Sequence, residues 1–183
     1  IIVDSHEELP LVNSNREYLS KNDLVPYQKL LSETYCLMVA HAAFPNLDLQ
    51  ETDVNGKLLP SSLSFNIVTK LLRQEIGFKG LVVTDDLEMG AILKNYGIGQ
   101  ACKMAFQAGV DMFLICNSTE AVRESFRTIS EAVKNGEISE ARLDESLQRI
   151  AEFKNLIEPP LPFDKQRLAE LSKEIEQLNA SLK

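Results

Sequence analysis

Three short apolar runs, at residues 35–40, 81–84 and 111–116, give the sequence its most regular pattern. Such runs, rich in β-branched and other apolar residues, are typical of strands that are buried on both faces of a parallel sheet. The polar residues that follow the runs are His41, Asp85 and Asn117. Each run therefore predicts a buried strand with a polar side chain at its carboxyl end.

Amphipathic segments separate and follow these strands. In them apolar residues recur at intervals of three or four positions, as on one face of a helix. The predicted helices span residues 23–32, 64–75, 99–108, 118–134, 139–157 and 164–182. Asp23 is the expected N-cap of the first of them. Residues 1–20 and 41–62 lack a helical period, and loops are predicted there.

The alternation of strands and helices predicts an α/β fold with a parallel sheet and outer helices. The carboxyl ends of neighbouring parallel strands share one edge, so the three polar residues should converge, as on the catalytic face of a (β/α)8 barrel. Three βα units cannot close such a barrel, which takes eight units and about 250 residues. The chain is therefore either a small open sheet or the C-terminal part of a TIM-type (β/α)8 barrel, and its start at Ile1 favours the second. We expect the barrel portion at residues 1–157 and a C-terminal helical tail at residues 158–183.

Composition and charge narrow the range of partners. The chain has 183 residues and a net charge of −8, with 44% hydrophobic and 25% charged residues. The negative charge argues against nucleic acid or an anionic membrane as the main partner. No apolar run approaches the ~18 residues that a membrane span needs. These properties are those of an ordinary globular protein.

The three cysteines indicate neither a disulfide framework nor a metal site. Cys36, Cys102 and Cys116 have no CxxC or Cys/His metal spacing. We expect all three to be small core residues, with Cys102 on a helix. No cluster in the sequence suggests a metal or another cofactor.

The middle strand ends in two adjacent carboxylates, Asp85 and Asp86. The carboxyl ends of strands are where α/β folds carry their catalytic groups. Asp is also among the preferred N-cap residues, so either carboxylate could simply cap the next helix. This stretch alone leaves both interpretations open.

Three motifs along residues 1–117 connect these carboxylates to other parts of the chain. They are residues 61–92 (SSLSFNIVTKLLRQEIGFKGLVVTDDLEMGAI), residues 3–10 (VDSHEELP) and residues 38–48 (MVAHAAFPNLD). The first resembles the nucleophile region of glycoside hydrolase family 3, in particular of its β-N-acetylglucosaminidases of the NagZ type. The second is similar to the end of that family's catalytic loop, and the third to one of its strands with the following loop. The motifs occur in the family's order.

The resemblance implies roles for individual residues. Asp85 matches the family's catalytic nucleophile, His6 its general acid/base, and Asp4 the carboxylate that orients the histidine. The positions implied to support or line the sugar pocket are His41, Asp86 and Met89. The implied activity is that of a retaining glycosidase, which removes terminal β-linked N-acetylglucosamine through a covalent glycosyl-enzyme on Asp85.

The residue types suit this chemistry. A retaining glycosidase needs a carboxylate that attacks the anomeric carbon and a group that first gives and then takes a proton. Histidine can fill the second role because its unperturbed pKa, about 6.5, already lies near neutral pH. A neighbouring carboxylate such as Asp4 would hold the ring, and backbone N–H groups could keep Asp85 ionised.

Each candidate also has a purely structural interpretation. His6 could be a solvated loop histidine, and Asp4 could stabilise a turn. His41 could be a buried ring that bonds backbone carbonyls. Asp86 could cap a helix or bond within its loop, and Met89 could fill the core. In favour of function, the chain has only two histidines, and both lie in motif positions.

Three functions are compatible with the sequence. The first is a glycosidase acting without a cofactor on N-acetylglucosaminides, such as the muropeptide-type sugars of peptidoglycan recycling, in the cytoplasm, cell envelope or exterior of a bacterium. The second is an incomplete, non-catalytic barrel fragment with a sugar-binding or structural role. The family's Lys-His-Phe-Pro-Gly-His loop does not occur in these residues, so catalysis is expected only with a missing N-terminal half or a complementary chain. The third, an α/β domain that binds a phosphorylated ligand, is disfavoured because no glycine-rich loop follows a strand.

Overall fold

The computed structural model describes residues 3–160 and 162–182. Its centre is a parallel sheet of three strands, β1 (Cys36–Val39), β2 (Leu81–Asp86) and β3 (Met112–Leu114), with β2 in the middle. The predicted α/β fold, with parallel strands and outer helices, is confirmed. β2 is two residues longer than the predicted strand, because Asp86 still pairs with Leu114 of β3. Both carboxylates thus belong to the end of the strand itself.

Helices connect the strands and follow them. The α-helices are α1 (Arg16–Lys21), α2 (Val25–Leu30), α3 (Gly90–Leu93), α4 (Ile98–Ala108), α5 (Thr119–Lys134), α6 (Glu140–Asn155) and α7 (Lys165–Ser181). A π-helix (Asn66–Glu75) joins β1 to β2. Each of the six predicted helices is present, and its ends differ from the predicted ends by at most two residues. The later helices begin where a side chain accepts a backbone hydrogen bond, as Ser118 does for α5.

Two predictions near the N-terminus are wrong. α1 lies where the sequence predicts a loop, and Asn15 caps it by accepting a hydrogen bond from the Tyr18 N–H at 2.9 Å. Its six residues are too few to show a helical period. Asp23 does not cap α2, which begins after Leu24 without a side-chain cap. Pro26 lies in the first turn of α2, where its missing N–H requires no partner.

The core lies between the sheet and the helices that cover it. Val82 of β2 is fully buried together with Val68 of the π-helix, Ile92 of α3 and Cys102 of α4. Cys36 is half-buried, whereas Cys116 is exposed, so the prediction that all three cysteines are core residues is wrong for Cys116. The physical reason is that β3 ends at Leu114, two residues before the end of the apolar run at residues 111–116, so Cys116 lies outside the strand.

The C-terminal part of the chain lies on the surface. Every residue of α7 is exposed, and so are residues 154–160 before it. The predicted division of the chain at residue 157 stays a prediction. None of the helices in the described part of the chain has both the length and the apolar character that crossing a membrane requires.

Candidate active site

The two carboxylates at the end of β2 are held by backbone N–H groups. Asp85 Oδ1 accepts a hydrogen bond from the Asp86 N–H at 2.9 Å, and Asp86 Oδ1 accepts one from the Glu88 N–H at 3.0 Å. Neither carboxylate caps α3, whose N-cap is Met89. The capping alternative is therefore excluded for both, and Asp86 bonds within its turn instead. Because one oxygen of Asp85 is held in this way, the carboxylate has a defined orientation.

Asp4 and His6 form a hydrogen-bonded pair in a tight turn. Asp4 Oδ1 accepts from the backbone N–H of His6 at 2.9 Å and contacts His6 Nδ1 at 2.8 Å. The Asp4 carbonyl accepts hydrogen bonds from the N–H groups of Glu7 and Glu8. Asp4 therefore stabilises the turn and orients the ring at the same time. With Nδ1 engaged, Nε2 of the exposed imidazole is the nitrogen that can exchange a proton with a ligand.

The ion pair changes the proton affinity of both groups. The hydrogen bond and charge of the Asp4 carboxylate raise the pKa of His6 above its ordinary value of 6.5, and the charges of Asp85 and Asp86 contribute in the same direction. The pKa of Asp4 is lowered, because the backbone N–H and the imidazole of His6 both donate to its carboxylate. The His6 ring therefore keeps its proton to a higher pH than a solvated histidine does.

Backbone hydrogen bonds attach the turn that carries His6 to the segment that follows Asp85. The Gly90 N–H donates to the His6 carbonyl at 2.9 Å, and the Ala91 N–H donates to the Ser5 carbonyl at 3.1 Å. Gly90 begins α3, five residues after Asp85. The structure thus brings His6, Asp4 and the two strand-end carboxylates to the same edge of the sheet.

His41 lies beneath this edge rather than on its surface. Its side chain is buried, and its Nε2 donates to the Asp86 carbonyl at 3.0 Å. Because a carbonyl only accepts, Nε2 carries the proton, and Nδ1 accepts the hydroxyl hydrogen of Ser62 at 2.7 Å. Burial lowers the pKa of His41, which favours this neutral form. His41 thus supports the carboxylate-bearing turn from the side of β1, and its contact with a sugar stays a prediction.

Met89 is also buried, at the N-cap of α3. This is the core position that the structural interpretation predicts for it. A role for Met89 in binding substrate, like that of Asp86, stays a prediction.

Glu88 is a residue that the sequence analysis missed. Its carboxylate accepts hydrogen bonds from the N–H groups of Asn117 at 2.6 Å and Ser118 at 3.1 Å, and so ties the turn after β2 to the loop after β3. The only signal in the sequence is a third carboxylate within four positions of Asp85. Asn117, predicted to converge on this edge, reaches it through its backbone.

Residues 3–160 and 162–182 contain no group of three or more His, Cys, Asp or Glu side chains that could hold a metal ion.

Replacement of His41 by alanine is expected to lower the free energy of unfolding by about 2–4 kcal/mol, because it leaves a cavity and removes the partners of Ser62 Oγ and the Asp86 carbonyl. Denaturant unfolding would measure the change. His6→Ala is the matched control, because it removes the other histidine from an exposed turn and should leave the unfolding midpoint nearly unchanged. Equal midpoints for His41→Ala and the wild type would contradict the supporting role.

Comparisons with known proteins agree with the motifs. The model of the family described as "Glycosyl hydrolase family 3 N terminal domain" matches residues 2–153. The chain is 32% identical over 164 residues to beta-hexosaminidase A of Pseudoalteromonas piscicida. This alignment covers 83% of this chain and 27% of that protein. It is 33% identical over 125 residues to a beta-hexosaminidase of Thiobacillus denitrificans, with 68% of this chain and 32% of that protein covered.

A solved structure shows the same relationship. It is that of a glycoside hydrolase family 3 beta-N-acetylglucosaminidase from Paenibacillus sp. str. FPU-7, which is 34% identical and superposes with a TM-score of 0.80. The alignment covers 90% of this chain and 31% of that one, so the chain spans about a third of the length of these relatives or less. The family match extends over most of the chain and includes all three motifs. The chain belongs to glycoside hydrolase family 3.

Proposed function

We propose that this chain supplies the nucleophile and the acid/base group of a retaining glycosidase that removes terminal β-linked N-acetylglucosamine. The observation that carries the proposal is the attachment of the His6 turn to α3, because it holds an Asp-supported imidazole at the edge where Asp85 lies, near the end of β2. A nucleophile and a proton donor at one edge are what two-step glycoside hydrolysis requires. The names of the relatives, beta-hexosaminidase and beta-N-acetylglucosaminidase, support the sugar.

In the first step, the Asp85 oxygen that is not bonded to the Asp86 N–H attacks the anomeric carbon. The bond between that carbon and the leaving oxygen breaks, and the leaving oxygen takes the proton from Nε2 of the His6 imidazolium. The products are a glycosyl ester on Asp85, a neutral imidazole and the released aglycone. The raised pKa of His6 keeps a proton available for this step near neutral pH.

In the second step, the neutral His6 ring accepts a proton from water while the water oxygen attacks the anomeric carbon. The ester bond to Asp85 breaks, its electron pair returns to the carboxylate, and the sugar leaves with its original anomeric configuration. His6 ends as the imidazolium that the next cycle needs. Asp4 stabilises that cation, as its 2.8 Å contact with Nδ1 allows.

The chain spans only 27% and 32% of the length of two relatives, so the remaining groups of a complete site are proposed to come from residues outside this chain. We propose that the three βα units complete a (β/α)8 barrel together with a preceding segment or a complementary chain, with residues 1–157 in the barrel and residues 158–183 as a helical tail. N-acetylglucosaminides, including muropeptide-type sugars of peptidoglycan recycling, are the proposed substrates. A non-catalytic role of the isolated barrel portion is the alternative.

The proposal is tested by the leaving-group dependence of His6→Ala in the complete protein. For an alkyl or sugar aglycone, which must be protonated as it leaves, kcat/KM should fall by roughly 10²- to 10⁴-fold. For an activated nitrophenyl aglycone, which leaves without protonation, the fall should be much smaller. An equal fall for both aglycones would contradict the proton-donor role of His6.

Asp4→Asn tests the pH dependence. Because the Asp4 carboxylate raises the pKa of His6, its removal should lower that pKa, so the imidazolium is lost at a lower pH. The alkaline limb of the kcat/KM profile should therefore move to lower pH, while Glu8→Gln in the same turn should leave it in place. An unmoved limb in Asp4→Asn would show that His6 does not set it. Lack of any sugar hydrolysis by the complete wild-type protein would instead favour the non-catalytic alternative.

A further inference from the structure

We infer that Gly90 is a positioning residue for the acid/base step, because its missing side chain lets the His6 turn dock against the start of α3. This inference rests on the proposed function. Gly90 touches neither reacting group; it acts through the position of His6 relative to Asp85.

The contact between Gly90 and the turn leaves no room for a side chain. A Cβ atom added to Gly90 would lie 2.4 Å from the Glu7 carbonyl oxygen and 2.5 Å from the His6 carbonyl oxygen. Both atoms belong to the backbone, so no side-chain rotation relieves the overlap. Conformation does not explain the glycine, since Gly90 is not among the glycines with positive φ. The requirement is therefore the close approach of two backbone segments.

The contacts that hold the turn in place are mainly backbone contacts. The N–H groups of Gly90 and Ala91 lie in the first turn of α3, where a helix offers them no internal partner, and the carbonyls of His6 and Ser5 accept them. An ion pair between Lys94 and Glu8, 3.8 Å apart, is exposed and contributes little. A change that separates the two segments thus removes both backbone hydrogen bonds between the His6 turn and α3.

The bonds inside the turn do not depend on this attachment. Asp4 bonds to the backbone N–H and to the ring of His6, two residues along the chain, and its carbonyl bonds to Glu7 and Glu8. A displaced turn can therefore keep the Asp4–His6 pair intact. Displacement of the turn should move the His6 imidazole away from the leaving oxygen. It should leave the hydrogen bond to Asp4, which is the main cause of the raised pKa of His6, in place.

Gly90→Ala in the complete protein should consequently show a specific kinetic signature. For a poor leaving group, kcat should fall by about 10- to 100-fold, the size expected of a displacement of about an ångström. For an activated nitrophenyl aglycone the fall should be several times smaller, and the alkaline limb of the pH profile should stay near that of the wild type. This separates Gly90→Ala from Asp4→Asn, which should move the limb.

Gly97→Ala is the matched control. Gly97 likewise lies at the start of a helix, as the N-cap of α4, with φ of −69° and ψ of 150°, and a Cβ atom added there would meet nothing within 4 Å. Its activity on both aglycones should equal that of the wild type. Equal losses on both aglycones in Gly90→Ala, or no loss on either, would overturn the inference.

Amide hydrogen exchange in the wild-type protein tests the docking even if Gly90→Ala does not fold. The Gly90 and Ala91 amides should be protected, because the carbonyls of the His6 turn are their partners. Exchange at the rate of an unprotected amide would overturn the docked arrangement. Activity that survives in Asp85→Asn would instead refute the proposed function, while protected amides in the same protein would leave the docking itself standing.

Discussion

Replacement of Asp85 by asparagine is expected to lower kcat/KM for an aryl β-N-acetylglucosaminide by about 10⁴-fold or more, because an amide does not form the glycosyl ester. Asparagine has nearly the same shape as aspartate, and its carbonyl oxygen can still accept the Asp86 N–H that Asp85 accepts at 2.9 Å. The fold should therefore be kept. The experiment compares initial rates of the complete wild-type protein and the variant, with unfolding midpoints measured alongside.

Asp86→Asn is the matched comparison, because it changes the adjacent carboxylate and retains an oxygen for the Glu88 N–H. Its loss should be smaller than that of Asp85→Asn. A fluorinated, activated N-acetylglucosaminide, which slows breakdown of the ester, should add its mass to the peptide that contains Asp85. A larger loss in Asp86→Asn, or labelling of Asp86, would move the nucleophile to the second carboxylate; similar rates in the wild type and Asp85→Asn would reject both the assignment and the mechanism.

The pattern of apolar residues was sufficient to predict the sheet and most helices. Strands such as β2 are continuous apolar runs, and helices such as α5 begin at a capping residue and carry a clear period. The apolar runs and the helical periods each lie within a short stretch of the chain, so a single sequence is enough to recognise them. α1 was not predicted because its six residues are too few to show a helical period. Cys116 was wrongly assigned to the core because nothing in its apolar run indicates that β3 stops at Leu114.

The site could be predicted only in part. The motifs indicated Asp85, His6 and Asp4, and the contact of Asp4 with His6 follows from two nearby positions in one turn. The contact between that turn and α3 joins residues more than 80 positions apart through backbone atoms, which leave no side-chain pattern in the sequence. For the same reason, the sequence could not distinguish a pocket-lining His41 from the buried ring that bonds the Asp86 carbonyl.

At the opposite end of the strands, a carboxylate that the sequence analysis assigned no role organises a buried ionic network. The Asp111 side chain is fully buried at the start of β3. It accepts hydrogen bonds from Arg73 at 2.6 Å and from Arg149 at 2.9 Å. The Val82 N–H and the Ser146 hydroxyl also donate to it, at 3.0 and 2.6 Å. Asp111 thereby joins β2, the π-helix and α6.

The arginines of this network depend on Asp111. Burial lowers the pKa of Arg73 and of Arg142, while the negative charge of Asp111 opposes that shift for both. Arg142 lies 3.8 Å from Asp111 and also donates to the Ser146 hydroxyl at 2.7 Å. Without the Asp111 carboxylate, the guanidinium groups of Arg73, Arg142 and Arg149 would stay largely buried without the negative charge that now neutralises them.

Asp111→Ala is therefore expected to lower the free energy of unfolding by about 3–5 kcal/mol, the cost of removing one member of a buried ionic network. Denaturant unfolding of the complete protein would measure it, with Asp144→Ala on the exposed face of α6 as the control, for which a change within about 0.5 kcal/mol is expected. Because Asp111 lies at the start of β3 and Asp85 near the end of β2, the variant that remains folded should keep its leaving-group dependence. A variant as stable as the wild type would mean that water or local rearrangement replaces the carboxylate, and that hydrophobic contacts hold α6 against the sheet.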